Sequence, residues 1–283
     1  MMDEKELLDI ENIEIKLLLD AIYMRYGYDY RDYTLSHVKR RVLYRLERSG
    51  CKTISELMSK VLYDYETFGL LQVDLSINVT EMFRYPQFFT DLREKVIPML
   101  KTYPSIKIWH AGCSTGEEVV SMAILLKEEG LLGKSTIYAT DINEHVLAIA
   151  EKGIYDIKHV QAWTKNYQEA GGNRSFSEYY TAKFDSVIFD QDLYDHIVFT
   201  KHNLIQDKQF ITANLIVCRN VLIYFNKGLK NTVLDLLDDS LVAGGILGIG
   251  SKESLQFTSL EGKYDTLSSK GRIYKKQSGL DYE

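Results

Sequence analysis

Ile106-Lys-Ile-Trp-His-Ala-Gly-Cys-Ser-Thr-Gly-Glu-Glu118 limits what this chain can fold into more than any other stretch. A short apolar strand runs into a turn bounded by Gly112 and Gly116, and the turn opens a helix whose first residues are acidic. Glycine has no Cβ and tolerates positive φ, so such a turn brings backbone close to a ligand. Farther on, Thr136-Ile-Tyr-Ala-Thr-Asp141 reads as a second apolar strand ending in a carboxylate. In a nucleotide-binding α/β sheet an acid at that strand tip meets a ribose hydroxyl pair.

The chemistry of the turn selects among nucleoside ligands. A dinucleotide fingerprint needs G-x-G-x-x-G, with helix N–H groups facing a pyrophosphate. This turn lacks that spacing, and Glu117 and Glu118 would repel phosphate. They suit a cationic ligand, and S-adenosylmethionine carries both an amino group and a sulfonium. Gly112-Cys-Ser-Thr-Gly116 also fits G-x-S-x-G, the nucleophile elbow of α/β-hydrolases. That fold places its histidine after the last strands, whereas no histidine here follows His202. A methyl donor is the better reading.

The bulk numbers remove other classes. A net charge of −6 gives no case for nucleic acid. Cys51, Cys113 and Cys218 show no C-x-x-C spacing, so neither a disulfide framework nor a metal site is expected, which suits a reducing cytoplasm. The acidic start, Met-Met-Asp-Glu-Lys-Glu, is unlike a secretion signal, and no apolar run approaches the ~18 residues of a membrane span.

Residues 1–75 read as a helical domain, with helices at 11–26, 36–49 (closed by Gly50), 53–63 (opened by the capping box Thr53-x-x-Glu56) and 66–76. Residues 76–283 read as an α/β domain. Strands are expected at 106–111, 136–140, 197–201, 214–218 and 245–250, and helices at 117–129, 143–152 and 227–241. A terminal hairpin, 264–267 with 272–275, is expected at the sheet edge, and 156–195 is an inserted subdomain.

Two further segments stand out, His202-Asn-Leu204 and Cys218-Arg-Asn-Val-Leu-Ile-Tyr-Phe225, and in the second Arg219 and Asn220 are costly to bury unless they bond something. Both follow predicted strands, at the ends where open α/β sheets bind ligands. With Asn78-x-Thr80-x-x-Phe83-Arg84, the glycine turn, Ala139-Thr-Asp141-Ile, Gly153-x-Tyr155, and Gly244-Gly245 with Ser251-x-Glu253, these blocks stand in the order of one family. The chain resembles the CheR-type chemoreceptor glutamate methyltransferases along nearly its whole length.

The resemblance implies a class I methyltransferase fold: a Rossmann-like seven-stranded sheet with an N-terminal helical bundle and a small β-subdomain. It implies methyl transfer from S-adenosylmethionine to receptor glutamates, leaving S-adenosylhomocysteine. It assigns Asp141 to the ribose, Glu118 to the methionine amino group, and Arg84 to the methionine carboxylate with Asn78 and Thr80 beside it. Asn203 and Leu204 would border the adenine, Gly112 the turn, and Arg219 and Asn220 the next strand end. Tyr224 would lie by the transferred methyl, with Arg84 as the other catalytic group. The basic helix 36–49, with Lys39, Arg40, Arg41, Arg45 and Arg48, would dock the acidic methylation helices of receptor cytoplasmic domains, and in some members of the family the inserted subdomain takes a receptor's C-terminal tail by strand addition. The protein would act as a cytoplasmic monomer without metal. A cofactor-binding module without catalysis, and the same chemistry on a non-receptor protein, are the alternative readings.

Two blocks depart from the family pattern. Val119 and Val120 replace its Pro-Tyr, and Met82 replaces the first Phe of Phe-Phe-Arg. Altered pocket packing is expected, with the polar cofactor contacts kept.

Overall fold

The protein is described by a computed structural model covering residues 4–76 and 80–278. Its contacts divide it into a helical unit, 1–78 together with Tyr224–Lys230, and a sheet unit comprising the rest.

The helical unit contains α1 (Glu4–Tyr26), α2 (Leu35–Ser49), α3 (Ile54–Tyr63) and α4 (Tyr65–Leu75). Helices α2, α3 and α4 are bounded by the residues that the sequence marks as caps. Gly50 closes α2 in the left-handed region at φ 71°, Thr53 Oγ1 accepts the Glu56 amide, and Asp64 accepts the amides of Glu66 and Thr67. Ile15, Leu18, Ile22, Val38, Val42, Leu57, Val61, Phe68 and Leu71 form the shared core. Helix α1 begins at Glu4 rather than at residue 11, because apolar residues on both of its sides blur the period that marks a start.

In the sheet unit, α5 (Pro86–Asp91), a π-helical turn (Leu92–Val96) and α6 (Ile97–Leu100) precede β1 (Ile106–Ala111). Then follow α7 (Glu117–Glu128), β2 (Ser135–Asp141), α8 (Glu144–Lys152), β3 (Ile154–Asp156), α9 (Val160–Glu169), β4 (Tyr180–Lys183), β5 (Ser186–Phe189) and α10 (Gln191–Tyr194). The chain continues through β6 (Ile197–Lys201), β7 (Ala213–Cys218), α11 (Lys227–Asp239), β8 (Leu241–Ile249), β9 (Tyr264–Ser268) and β10 (Ile273–Lys276).

The main sheet has seven strands in the order β6-β2-β1-β7-β8-β10-β9. Strands β6, β2, β1, β7 and β8 pair in parallel, and β10 is antiparallel to both neighbours. The predicted hairpin therefore does not simply extend the edge: β10 lies between β8 and β9. Strand order reverses between β1 and β7, so the crevice beyond their carboxyl ends is the binding position of such a sheet. Burial on both faces explains why β1 and β7 are mostly apolar, with Lys107 and Asn214 near their starts as the exposed and half-buried exceptions.

The inserted segment forms a three-stranded antiparallel sheet, β3-β5-β4, and its first strand begins at Ile154, just ahead of the predicted limit. Glu128 at the end of α7 anchors this insertion. Its carboxylate accepts from Tyr167 Oη and, at 2.9 Å, from Tyr179 Oη, and it pairs with Arg93 of the π-helical turn.

Candidate active site

The glycine turn is fastened to the end of β2. The amides of Gly112 and Cys113 both donate to the Thr140 carbonyl, at 2.8 and 2.9 Å. Gly112 has φ 82° and a Cβ there would stand 2.5 Å from Val221 Cγ2, while Gly116 at φ 90° has Ala150 Cβ only 2.9 Å from where its own would be. At both ends of the turn the close approach requires glycine.

Asp141 holds the turn from the other side. Its Oδ2 accepts the Ser114 amide at 2.9 Å and its Oδ1 the Asn143 amide at 3.0 Å. Burial raises its pKa, and the Asn143, Ser114 and Ile142 amides oppose that rise by bonding the charged form. The carboxylate stands at the tip of β2, where the sequence placed the ribose contact. The inserted sheet supports the same turn: Tyr155 Oη donates to the Thr115 carbonyl at 2.8 Å.

Glu118 and Arg219 form a charged pair beyond β1 and β7. Arg219 is 2% exposed at its side chain and Glu118 17%, and His110 Nδ1 lies 3.4 Å from Glu118 Oε1. Burial alone would raise the Glu118 pKa, but Arg219 and His110 hold it below the ordinary value. Arg219 also donates to the Arg84 carbonyl at 3.1 Å and lies over the Phe88 ring at 4.1 Å. The guanidinium therefore links β7, the start of α7 and the segment before α5.

That segment is itself pinned. Ser121, fully buried on α7, accepts the Phe83 amide at 2.9 Å and donates to the Glu117 carbonyl at 2.7 Å. Asn166 donates to the Met82 carbonyl at 3.1 Å. Phe83, Tyr85, Ser114 and Asn220 have φ of 52°, 58°, 51° and 62°. Non-glycine residues in this region are uncommon and persist only where surroundings over-determine them. Met82, Val119 and Val120 are fully buried, so the departures from the family pattern enter the core and leave the polar groups in place.

Glu253 fixes the turn after β7. Its carboxylate is 2% exposed and accepts the amides of Asn220 at 3.3 Å, Ile223 at 3.2 Å and Gly250. Burial raises its pKa against the pull of these amides. Glu253→Gln would put an NH2 group where an acceptor stands. A stability loss of about 1–3 kcal/mol in denaturant titration is expected, with Glu253→Asp giving no rescue because the shorter side chain loses reach. Unchanged unfolding in Glu253→Gln would show that this turn holds without it.

The structure gathers Gly112, Glu118, Asp141, Arg219 and Asn220 at the carboxyl ends of β1, β2 and β7, with the Arg84 backbone joined to them. Asn203 and Leu204 follow His202, whose amide donates to the Asp141 carbonyl at 3.2 Å. Asn203 spends its polar atoms on its own turn: Oδ1 accepts the Ile205 amide and Nδ2 donates to Gln206. Thr80 is half-buried at the start of its segment. Asn78 lies outside the described residues. Tyr224 groups with the helical unit, where its ring meets His37 at 4.5 Å and its carbonyl accepts the Thr34 amide at 2.8 Å.

Sequence reasoning assigned no role to Ser121, His110 or Glu253. Glu253 stood within a family block, and that was its signal. A histidine in an apolar strand and a serine one helical turn past Glu117 carry none by themselves.

The site accommodates the predicted donor: an acid at the β2 tip, glycines where backbone must approach, and an acidic helix start. Residues 78–272 match the family described as CheR methyltransferase, SAM binding domain, and residues 13–75 match CheR methyltransferase, all-alpha domain. The chain belongs to the CheR methyltransferase family. Its fold is the class I methyltransferase fold with the family's N-terminal helical domain, and its cofactor is S-adenosylmethionine. A Pseudomonas putida protein named "Putative methyltransferase Cher3" is 48% identical over 265 residues, spanning 94% of this chain and 97% of that one. Chemotaxis protein methyltransferase 1 of Vibrio cholerae is 32% identical over 215 residues, 71% of this chain and 73% of its own. A chemotaxis protein methyltransferase of Listeria innocua is 29% identical over 231 residues, covering 81% and 85%.

Proposed function

We propose that this CheR-family methyltransferase esterifies glutamate side chains in the cytoplasmic domains of chemoreceptors. The observation that carries the reading is the convergence of Asp141, Glu118 and the buried Arg219 on the carboxyl ends of β2, β1 and β7, with the Arg84 backbone tied to Arg219. When bound, S-adenosylmethionine supplies a sulfonium methyl that a glutamate carboxylate, ionised at neutral pH with a reference pKa of about 4.3, takes in line without a general base. The protein's own part is to hold and desolvate. Asp141 takes the ribose hydroxyls, Glu118 the methionine amino group, and Arg84 the methionine carboxylate with Thr80 and Asn78 nearby. Asn203 and Leu204 border the adenine, Arg219 and Asn220 shape the strand end, and Tyr224, one residue past Ile223 in the chain, orients the acceptor.

The working division is a helical domain, 1–75, that meets the receptor and a catalytic domain, 76–283, with 156–195 inserted. A cytoplasmic receptor domain as substrate places the enzyme in the cytoplasm. Among the described residues no helix is long and apolar enough to cross a membrane. Incubation with labelled donor and purified receptor cytoplasmic domains, then mass mapping, tests the proposal: methyl esters on glutamate support it. Donor binding without transfer would leave a non-catalytic module, and label on other proteins alone would move the substrate elsewhere.

Asp141→Ala is expected to weaken S-adenosylhomocysteine binding by about 1.5–3 kcal/mol, read by calorimetry. Asp141→Asn, which keeps one acceptor for the turn amides, separates lost ribose bonds from a loosened turn. Equal affinity in Asp141→Ala and the parent would remove Asp141 from the pocket.

The basic helix divides into cations paired with carboxylates of the helical unit and exposed ones, of which Arg48 lies over the ring of Tyr44 at 3.5 Å. Arg45 pairs with Asp74 at 2.5 Å and Lys39 with Glu11 at 2.6 Å, so both serve the helical unit itself. Arg40 and Arg48 are exposed. Reversing Arg40 and Arg48 to Glu should slow receptor methylation at low salt with unchanged cofactor affinity, and added salt should slow the parent enzyme. Normal methylation by the reversed variant would make α2 an ordinary solvated face.

A further inference from the structure

Helix α1 carries apolar side chains on two opposite faces. Ile15, Leu18, Leu19 and Ile22 are buried in the helical unit. On the reverse face Ile10, Ile13, Leu17 and Met24 are 41%, 57%, 51% and 83% exposed, with half-buried Ala21 among them. Residues spaced three and four apart line one stripe of a helix, and a contiguous exposed apolar stripe marks a contact surface. Neither the methyl-transfer chemistry nor the basic face of α2 uses it.

The stripe is symmetric in sequence. Its intervals run three, four, four, three (10 to 13, 13 to 17, 17 to 21, 21 to 24), so reversing the helix about Leu17 lays the stripe onto itself. An antiparallel copy of α1 then sets Leu17 against Leu17, Ile10 against Met24, and the large Ile13 against the small Ala21. Such self-complementarity is what an isologous two-fold contact requires.

The rim agrees in charge. Lys16 and Asp20 flank the stripe on one side, and antiparallel alignment about Leu17 brings Lys16 of each copy beside Asp20 of the other. Lys16 has no ion pair among the described residues, and the Asp20 contact with Arg31 is an exposed one of 3.7 Å that contributes little. An acidic receptor helix suits this face less well, because Asp9 and Asp20 edge it.

We propose that α1 forms an antiparallel two-fold contact with α1 of a second copy of this chain, in place of the monomer that the sequence reading gave. The stripe is about 21 Å long at 1.5 Å per residue, and one short helix pair falls below the roughly 1,200 Å² of a stable interface. Association is therefore weak and concentration dependent.

Sedimentation or light scattering of the full chain tests this. The parent's average mass should climb toward twice the chain mass from low to high micromolar concentration, and Leu17→Glu should stay at one chain throughout. Leu17 is half exposed, so helicity and unfolding midpoint should be unchanged in that variant. In a Cys51→Ser background, with Cys113 and Cys218 buried, Leu17→Cys should cross-link to its own copy and Met24→Cys alone should not. A parent that remains monomeric would overturn the proposal. So would a Leu17→Glu variant that associates normally, or cross-linking through Met24→Cys as readily as through Leu17→Cys, which would mean a parallel contact.

Discussion

Arg84→Ala is expected to lower methyl transfer by about a hundredfold or more while the protein still folds and the glycine turn stays intact. The effect is large because the backbone at Arg84 is held from several directions, so the origin of its side chain is fixed, and its guanidinium lies 5.3 Å from the Tyr85 ring. Ser121 takes the Phe83 amide, Asn166 the Met82 carbonyl, and Arg219 the Arg84 carbonyl. A group positioned so tightly loses catalytic effect steeply when displaced by even an ångström. Arg84→Lys should recover only part of the rate, because an ammonium cannot form the planar two-point contact of a guanidinium. Steady-state rates with a receptor fragment, beside donor affinity for each variant, provide the check. Turnover near the parent's in Arg84→Ala would reduce segment 80–84 to a linker.

Arg219→Ala is expected to cost about 3 kcal/mol of stability, the lower part of the 3–5 kcal/mol typical when a buried pair loses one partner. Its side chain is 2% exposed and Glu118 retains some contact with solvent, which places the loss at that end. The penalty arises chiefly from leaving the Glu118 carboxylate without its cation. Combining Arg219→Met with Glu118→Gln should therefore be less damaging than Arg219→Ala alone, since no uncompensated charge remains. Donor binding should fail in both, because both lack the Glu118–Arg219 arrangement. Denaturant unfolding and calorimetry on the same samples separate the two effects. A double variant less stable than Arg219→Ala would mean that the pair stabilises the fold beyond neutralising its own charges.

How far the sequence revealed the molecule depended on how local each signal was. Gly112, Gly116 and Asp141 were legible because their chemistry sits on a strand end and a turn, both marked by composition. Strands β1, β6 and β7 were legible for the same reason, as mostly apolar segments bounded by polar residues. The short β3 and β4 were not: strands of three and four residues carry too little period to register. Helix α5 with its π-helical turn was hidden behind Pro86, which signals a boundary and also fits a helix N1 position.

The site's interior depended on long-range pairing. Nothing near Glu118 announces Arg219, which reaches it from β7 across 101 residues of sequence. Likewise the cations of α2 read as one basic face, yet Asp74 and Glu11 from other helices claim Arg45 and Lys39. Local composition reports charge, and only the fold assigns its counterion.

The Tyr155 hydroxyl beneath Thr115 bears on how this family can diversify. An insertion attached only at its two ends is a cassette that can be exchanged between relatives at small cost. Here the inserted sheet is soldered to the catalytic floor: Tyr155 props the cofactor turn, Asn166 grips Met82, and Tyr167 and Tyr179 share Glu128. A chimera with a foreign insertion would carry a loosened glycine turn and α7 end, unless those four contacts came with it. The insertion and the turn it supports are thus mechanically coupled, so sequence change in this segment is tolerated on its outer surface and not where it meets α7 and the glycine turn.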